Sequence, residues 1–462
     1  MNNNKTLLKG AILTALAALS ASVSALEKPQ TMEDMWKIIQ AQQKQIDEMK
    51  SGMQAQAPVK TAGSDVKQLE RKTDVLSQEV EKLRTNLSIP DEVQYKSAYG
   101  LGPAASKVYQ VGKGLSIGGY GEGNYQANVG EKGSNKDNAD LERIVLYAGY
   151  KFTDKILFNS ELEFEHATTG EGAEEKGEVS VEFASLDFFI NPLANVRAGL
   201  VLMPMGFINQ IHEPVFYFGN NRPEVERSII PSTWREMGVG LFGQITPDLT
   251  YTTYVVSGLD AAEFSSKGIR DGRGGGSQAK AENFGYVARM DYTPSALPGV
   301  TVGSSAYVGN SGQNQSFAGQ KADVFTQLYE AHVQWKYRGL EFRTLGSWGH
   351  INDAELLSAA KGQTIGSENY GFYTELGYDV LPLLFKDTTQ YLAPFFRYET
   401  LDTIAKAPNG FADDLTKDMQ IYQVGLNYKP IPNVVIKADY RNRVAKQGPL
   451  SDDFNLGFGF IF

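Results

Sequence analysis

The parity of its connections constrains this chain more than any single motif. From Leu115 to Phe462, apolar and polar residues alternate in sixteen segments. They fall at 115–128, 139–153, 155–167, 178–190, 195–203, 235–246, 249–258 and 283–293, then 299–309, 324–337, 339–349, 368–379, 389–400, 417–429, 433–444 and 452–462. Every second connection is tight: Thr153-Asp154, Asn191-Pro192, Pro247-Asp248, Pro294 to Pro298, Arg338-Gly339 and Pro430 to Asn433. In that set only Val380 to Thr388 is longer. The remaining connections are long and polar: 129–138, 167–177, 204–234, 259–282, 310–323, 350–367, 401–416 and 445–451. A soluble sandwich has no reason to keep that order. Barrels that cross an outer membrane keep short turns at one end and long loops at the other. A strand tilted across hydrocarbon needs about ten residues, near the length of most of these segments. The expected fold is an all-β transmembrane barrel of 16 antiparallel strands over 115–462.

The faces of individual strands agree. In 155–167, Ile156, Phe158, Leu162 and Phe164 point one way, and Asn159, Glu161, Glu163 and Glu165 the other. Phe325, Tyr329, Ala331, Val333, Trp335 and Tyr337 oppose Glu330, His332, Gln334 and Lys336; Val434, Ile436, Ala438 and Tyr440 oppose Lys437, Asp439, Arg441 and Arg443. We read the apolar faces as lipid-facing and the charged faces as lining a water-filled lumen. A Lys or Arg turned to lipid at midplane would cost ~2–4 kcal/mol, which fixes the register. The chain ends on Phe454, Leu456, Phe458, Phe460 and Phe462 in alternation. Such a last strand resembles the signature by which outer-membrane assembly machinery recognises barrels, so that machinery is an expected partner through Phe462.

The N-terminus reads as an export signal. Lys5 and Lys9 precede an apolar stretch from Ala11 to Leu19, and Val23-Ser24-Ala25 is a small-residue cleavage site. Residues 1–25 are therefore expected to be removed. Residues 26–90 read as an α-helical coiled coil. Met32, Met35, Ile39, Gln42, Ile46, Met49 and Met53 form one seam of alternating three and four, and Val66, Leu69, Thr73, Leu76, Val80, Leu83 and Leu87 a second. The alternative is an amphipathic helix lying on the barrel. Ile89-Pro90 ends the helix, and 91–114 is expected as linker. An even strand count returns both chain ends to one side, which places the coiled coil in the periplasm of a Gram-negative-type cell envelope.

Composition narrows the chemistry. There is no cysteine, hence no disulfide and no thiolate metal site. The four histidines, His166, His212, His332 and His350, lack metal-ligand spacing from one another, so no metal and no cofactor is expected. A formal charge of −10 argues against nucleic acid as partner. The run Arg270 to Ser277 reads as a flexible loop tip rather than an RNA-binding segment. His212 beside Glu213 and His166 beside Glu165 are sequence neighbours that point apart on a strand, so no catalytic residue is expected and the chain is not read as an enzyme. Glu161 with Glu163 suits either cation binding or ordinary lumen lining.

Several stretches resemble the phosphate-selective porin O and P family. They are Gly118-Gly119-Tyr120-Gly121-Glu122, the block Met203-Pro204-Met205-Gly206-Phe207 with Arg222-Pro223 and Ile230 to Gly240, and Gly425 to Pro430 with Asn433 to Tyr440. The resemblance implies a trimeric porin whose third loop, 204–234, folds inward as a constriction. It also departs from that family's pattern. This loop has no lysine, only Arg222 and Arg227, and holds Glu213, Glu224 and Glu226. Basic lumen candidates (Arg143, Arg197, Arg235, Arg289, Arg343, Arg397, Lys437, Arg441) are balanced by acidic ones (Glu161, Glu163, Glu165, Asp187, Glu330, Glu375, Glu399, Asp439), so phosphate selectivity does not carry over.

The expected function is passive diffusion of small hydrophilic solutes or ions. Arg222, Arg227, Glu213 and Glu224 are the candidate rim of the constriction, with Arg197, Arg235 and the row Glu161, Glu163, Glu165 on the facing wall. Membrane lipid, lipopolysaccharide and two further copies of the chain are the expected partners. The alternatives are an outer-membrane anchor or adhesin tethered by its coiled coil, or an outer-membrane hydrolase. An anchor needs only about eight strands, whereas sixteen leave an aqueous channel.

Overall fold

Strands form where the period-two pattern runs. The computed structural model describes residues 96–130, 136–169 and 176–462. The expected signal peptide and coiled coil lie outside the described residues. The strands are β1 (Gly114–Val129), β2 (Asn138–Thr153), β3 (Ile156–Glu165), β4 (Val179–Phe189), β5 (Asn195–Leu202), β6 (Arg235–Thr246), β7 (Leu249–Ser257), β8 (Phe284–Tyr292) and β9 (Val300–Asn310). A small hairpin, β10 (Ser316–Phe317) and β11 (Gln320–Lys321), decorates one loop. Then follow β12 (Phe325–Tyr337), β13 (Leu340–Ile351), β14 (Glu368–Tyr378), β15 (Tyr391–Lys406), β16 (Asp418–Ile431), β17 (Val434–Ala445) and β18 (Asp452–Ile461).

All but β10 and β11 form one closed antiparallel barrel of sixteen strands, in which each pairs with its neighbours in sequence and β1 pairs with β18. Closure leaves no edge with unpaired backbone groups, the condition for a sheet in lipid. At the seam Gly119 and Phe462 exchange both backbone hydrogen bonds, at 3.0 and 2.9 Å. Boundaries follow the sequence pattern closely except at β15, expected to stop at 400. Leu401 and Ile404 are fully buried beyond that point, and the strand runs on to Lys406.

The two faces separate as the alternation demands. Ile144, Leu146, Val239, Leu241, Val424 and Leu456 lie exposed on the outer surface. Arg143, Val145, Gln423 and Asn455, next to them on the same strands, are buried within.

Two segments fill the interior. Residues 96–113 precede β1, in the stretch expected as linker. They pack on the inner wall at the turn end, with Leu101, Ala104, Ala105 and Val108 buried and a single helical turn at Lys107–Gln110. Small residues permit this approach: a Cβ on Gly149 of β2 would stand 2.6 Å from the Val108 side chain. The second segment is the 203–234 connection between β5 and β6, here termed the crossing loop. It leaves the wall at Met203, spans the lumen, and returns at Trp234, both fully buried.

Candidate functional site

Backbone groups of the crossing loop are met by side chains of the opposite wall. Arg343 of β13 donates to the Phe216 carbonyl at 2.6 Å, Arg397 of β15 to Phe218 and Asn221 at 2.7 and 3.1 Å, and Lys437 of β17 to Gly219 at 2.8 Å. Asp439 accepts from the backbone and side chain of Asn220 at 2.8 and 2.6 Å. These lumen charges therefore bind the loop as well as line the wall. Phe218 stacks on Phe395 with ring centroids 5.1 Å apart.

The start of the loop turns on Glu226. Its Oε2 accepts the N–H groups of Phe207 and Ile208 at 2.7 and 2.8 Å, and its Oε1 accepts from the Tyr373 hydroxyl at 2.5 Å. Gly206 makes this geometry possible: its φ is +69°, and a Cβ there would stand 2.2 Å from the Glu226 carboxylate.

The wall itself is a ladder of paired charges. Arg143 lies between Glu122 and Glu163 at 3.0 and 3.1 Å, Arg197 meets Asp187 at 2.7 Å, Arg397 meets Glu375 at 2.8 Å, and Arg441 meets Asp453 at 2.7 Å. A buried charge is tolerated only when paired and hydrogen-bonded, and these pairs satisfy that condition on the strands themselves.

The structure separates the residues singled out from sequence. Glu161 and Glu163 are buried on the inner wall, and Glu165 is part-exposed toward the loop end. Arg235 meets Glu182 at 2.9 Å. Arg197 lies nearer the turn end, where it also bonds Tyr99 and Tyr109 of the N-terminal segment. Glu213 is fully buried and faces that segment rather than an open passage. Burial pushes its carboxyl up to about 8, with Glu161 adding to the rise and the N–H groups of Ala104 and Ala105 opposing it. Arg222, Glu224 and Arg227 share a chamber on the loop side of the crossing loop.

That chamber holds about 390 Å³. Six basic residues line it (Arg143, Arg222, Arg227, Lys267, Arg270, Arg441) against four acidic ones (Glu142, Glu165, Glu224, Asp271). Arg270 and Arg273 both donate to the carbonyl of Ser232, at 2.9 and 2.7 Å. Burial, then the guanidiniums of Arg273, Arg227 and Arg222, hold Arg270 down to about 9. On the turn side a second chamber of about 880 Å³ is lined by Tyr99, Tyr109, Lys151, Asp154, Phe242, Arg289 and Asp291 among others, and no residue lines both.

Between the chambers sits a group that sequence spacing did not reveal. His212 Nε2 lies 3.0 Å from Glu161 Oε1 and 3.8 Å from Glu182 Oε2. The sequence reading compared the histidines only with one another, and spacing along the chain does not measure distance across a lumen. Glu182 was also missed. The register of β3 and β4 shifts between Glu161↔Phe183 and Leu162↔Val181, so Glu182 is the extra residue of a β-bulge. Glu182 and Phe183 both turn inward as a result, which strict alternation cannot anticipate. Burial, then Arg222, hold the His212 imidazole down to about 4 against the pull of Glu182 and Glu163.

No protein-family model matches the chain. Over 394 residues it is 37% identical to an uncharacterized protein of Aquifex aeolicus (strain VF5), covering 82% of this chain and 87% of that protein. Among solved structures it is similar to a loop L8 deletion mutant of OmpT, an outer membrane protein of Vibrio cholerae, with a TM-score of 0.50, 11% identity, and coverage of 76% of this chain and 100% of that one. The outer membrane channel DcaP of Acinetobacter baumannii aligns at a TM-score of 0.47 with 13% identity, over 75% of this chain and 97% of that one. At such identity the likeness to OmpT is one of fold.

Proposed function

Since the chain belongs to one family with the uncharacterized Aquifex aeolicus protein, we propose one function for that barrel: an outer-membrane pore for passive diffusion of small hydrophilic solutes or ions. The observation that carries this reading is a sixteen-strand barrel, apolar outside and charged within, crossed at mid-height by a loop held to the opposite wall. An anchor has no need of such an interior. Porin-type diffusion is the class; phosphate selectivity is not part of the reading, because the crossing loop has no lysine. The two chambers are the vestibules, with Arg222, Arg227 and Glu224 at the loop-side entrance and Glu161, Glu163 and Arg235 on the wall. Excess basic residues in the loop-side vestibule favour entry of anions from that end. The sequence resemblance to trimeric porins and the heptad pattern of 26–90 support a homotrimer with a coiled coil in the periplasm.

The test is conductance of the purified full chain in planar bilayers. Discrete, salt-dependent current steps are expected. Their absence, with the barrel folded, overturns the reading.

A further inference from the structure

The buried group at the root of the crossing loop brings one imidazole up to two carboxylates. His212 Nδ1 lies 3.3 Å from the carbonyl oxygen of Asn209. A carbonyl oxygen only accepts, so Nδ1 holds the hydrogen. In the neutral ring Nε2 then presents a lone pair. Yet Nε2 faces two carboxylates, Glu161 at 3.0 Å and Glu182 at 3.8 Å. A ring nitrogen from the loop and carboxylate oxygens from two strands thus converge on one point.

Two further observations point to what joins them. Glu161 and Glu182 are 0% and 1% exposed, and the Oε2 atoms of both have no hydrogen-bond partner among the described residues. Arg235 occupies only Oε1 of Glu182, and Oε1 of Glu161 faces the imidazole. One donor atom from each of the three residues lies within 4.8 Å of the others. Two ligands about 2.1 Å from one tetrahedral ion lie roughly 3.4 Å apart, and the 3.0 and 3.8 Å separations from Nε2 bracket that value. A backbone carbonyl on the far ring nitrogen is also how metal-bound histidines are oriented.

The barrel's other buried histidine shows the contrast. His332 has Glu330 at 2.8 Å from Nδ1 and Asp291 at 3.0 Å from Nε2. The Arg289 guanidinium also lies 3.0 Å from Nε2, so both ring nitrogens of His332 are met by neighbouring side chains. His212 lacks that symmetry.

We propose that Glu161, Glu182 and His212 form a binding site for a divalent transition-metal ion of the zinc class. One imidazole with two carboxylates suits Zn²⁺ or Co²⁺, whereas Ca²⁺ and Mg²⁺ prefer sets made of oxygen alone. Two ligands sit on adjacent wall strands, one of them on the β-bulge, and the third on the crossing loop. The ion therefore ties the loop to β3 and β4. The surroundings are mixed: Glu163 adds negative charge, while Arg143, Arg222 and Arg235 oppose a cation. The assignment does not depend on conduction, since a barrel that passes no current would still bind the ion or fail to.

The experiment is calorimetric titration of Zn²⁺ into the chelator-treated, detergent-folded full chain at neutral pH. One saturable site per chain is expected, unaffected by millimolar Ca²⁺ or Mg²⁺. Co²⁺ at that site should give the visible absorption of a nitrogen–oxygen complex. Glu182→Gln and His212→Gln should each weaken Zn²⁺ by roughly 100-fold, at or beyond the loss seen when metal-site support is removed. His332→Gln should leave affinity unchanged. Heat-modifiable gel mobility reports folding; if His212→Gln fails to fold, the near-isosteric Glu182→Gln decides. Absence of a saturable site, equal affinity in Glu182→Gln, or equal loss in His332→Gln would overturn the proposal.

Discussion

Oε1 of Glu213 accepts the N–H of Ala104 at 2.9 Å and lies 3.4 Å from the N of Ala105. One carboxyl thereby joins the crossing loop to the N-terminal segment. A Cβ on Gly102 would stand 2.4 Å from the same oxygen, so the contact requires glycine there.

This contact predicts a pH response. The folded carboxyl sits near 8 because burial disfavours its charge, while the unfolded chain titrates near 4.3. The native state holds a proton that the unfolded state has lost, so the contribution is full below the lower value and fades as pH rises toward 8. The chain has no cysteine, so a spin label on Ser97→Cys reports this segment alone. Its mobility should rise between pH 5 and 8.5 and stay flat in Glu213→Gln. A flat profile in the parent would refute the assignment.

Gly206 should not tolerate a side chain. Its positive φ and the Glu226 carboxylate 2.2 Å from a would-be Cβ predict that Gly206→Ala destabilises the barrel by about 1–3 kcal/mol. Urea unfolding in lipid vesicles measures this. An unchanged midpoint would mean that the loop can detach from Glu226 at no cost.

The outer face should reject charge. Leu146 of β2 lies 38% exposed opposite Leu162 of β3, near mid-strand. Leu146→Arg should cost ~2–4 kcal/mol in the same assay. A neutral result would place this face away from lipid.

The loop-side vestibule should set the sign of selectivity. Neutralising Arg222 and Arg227 together, as Arg222→Gln with Arg227→Gln, should move the reversal potential in a salt gradient toward cations. No movement would remove these side chains from the ion path.

The heptad pattern of 26–90 yields a prediction about assembly. Deleting residues 26–90 should leave a folded barrel whose oligomer dissociates more readily on native gels. An unaltered oligomer would exclude the seams from that role.

The barrel was legible because lipid enforces a period. Strands such as 235–246 could be placed to the residue, since each polar side chain on the wrong face would cost energy and each turn has its own residues. The interior was less legible. His212 and Glu161 are 51 positions apart, and only the path of the crossing loop brings them together. Glu182 reaches the lumen through a bulge that breaks the period on which the reading relied. The inner packing of 96–113 gave no periodic signal, because one short turn of helix among glycines and alanines has none to give.

The hydrogen bonds between Gly119 and Phe462 have a kinetic consequence. The cylinder is sealed by residues more than three hundred positions apart, so its last contact is also its most non-local. Loop-closure entropy is met before such contacts reward it, and topologies of this kind assemble slowly. Until β18 pairs with it, β1 presents a bare row of amides. The interval between synthesis and sealing is therefore when this chain is most prone to pair with the wrong neighbour, because β1 from Tyr120 to Val129 depends on β18 for its partner.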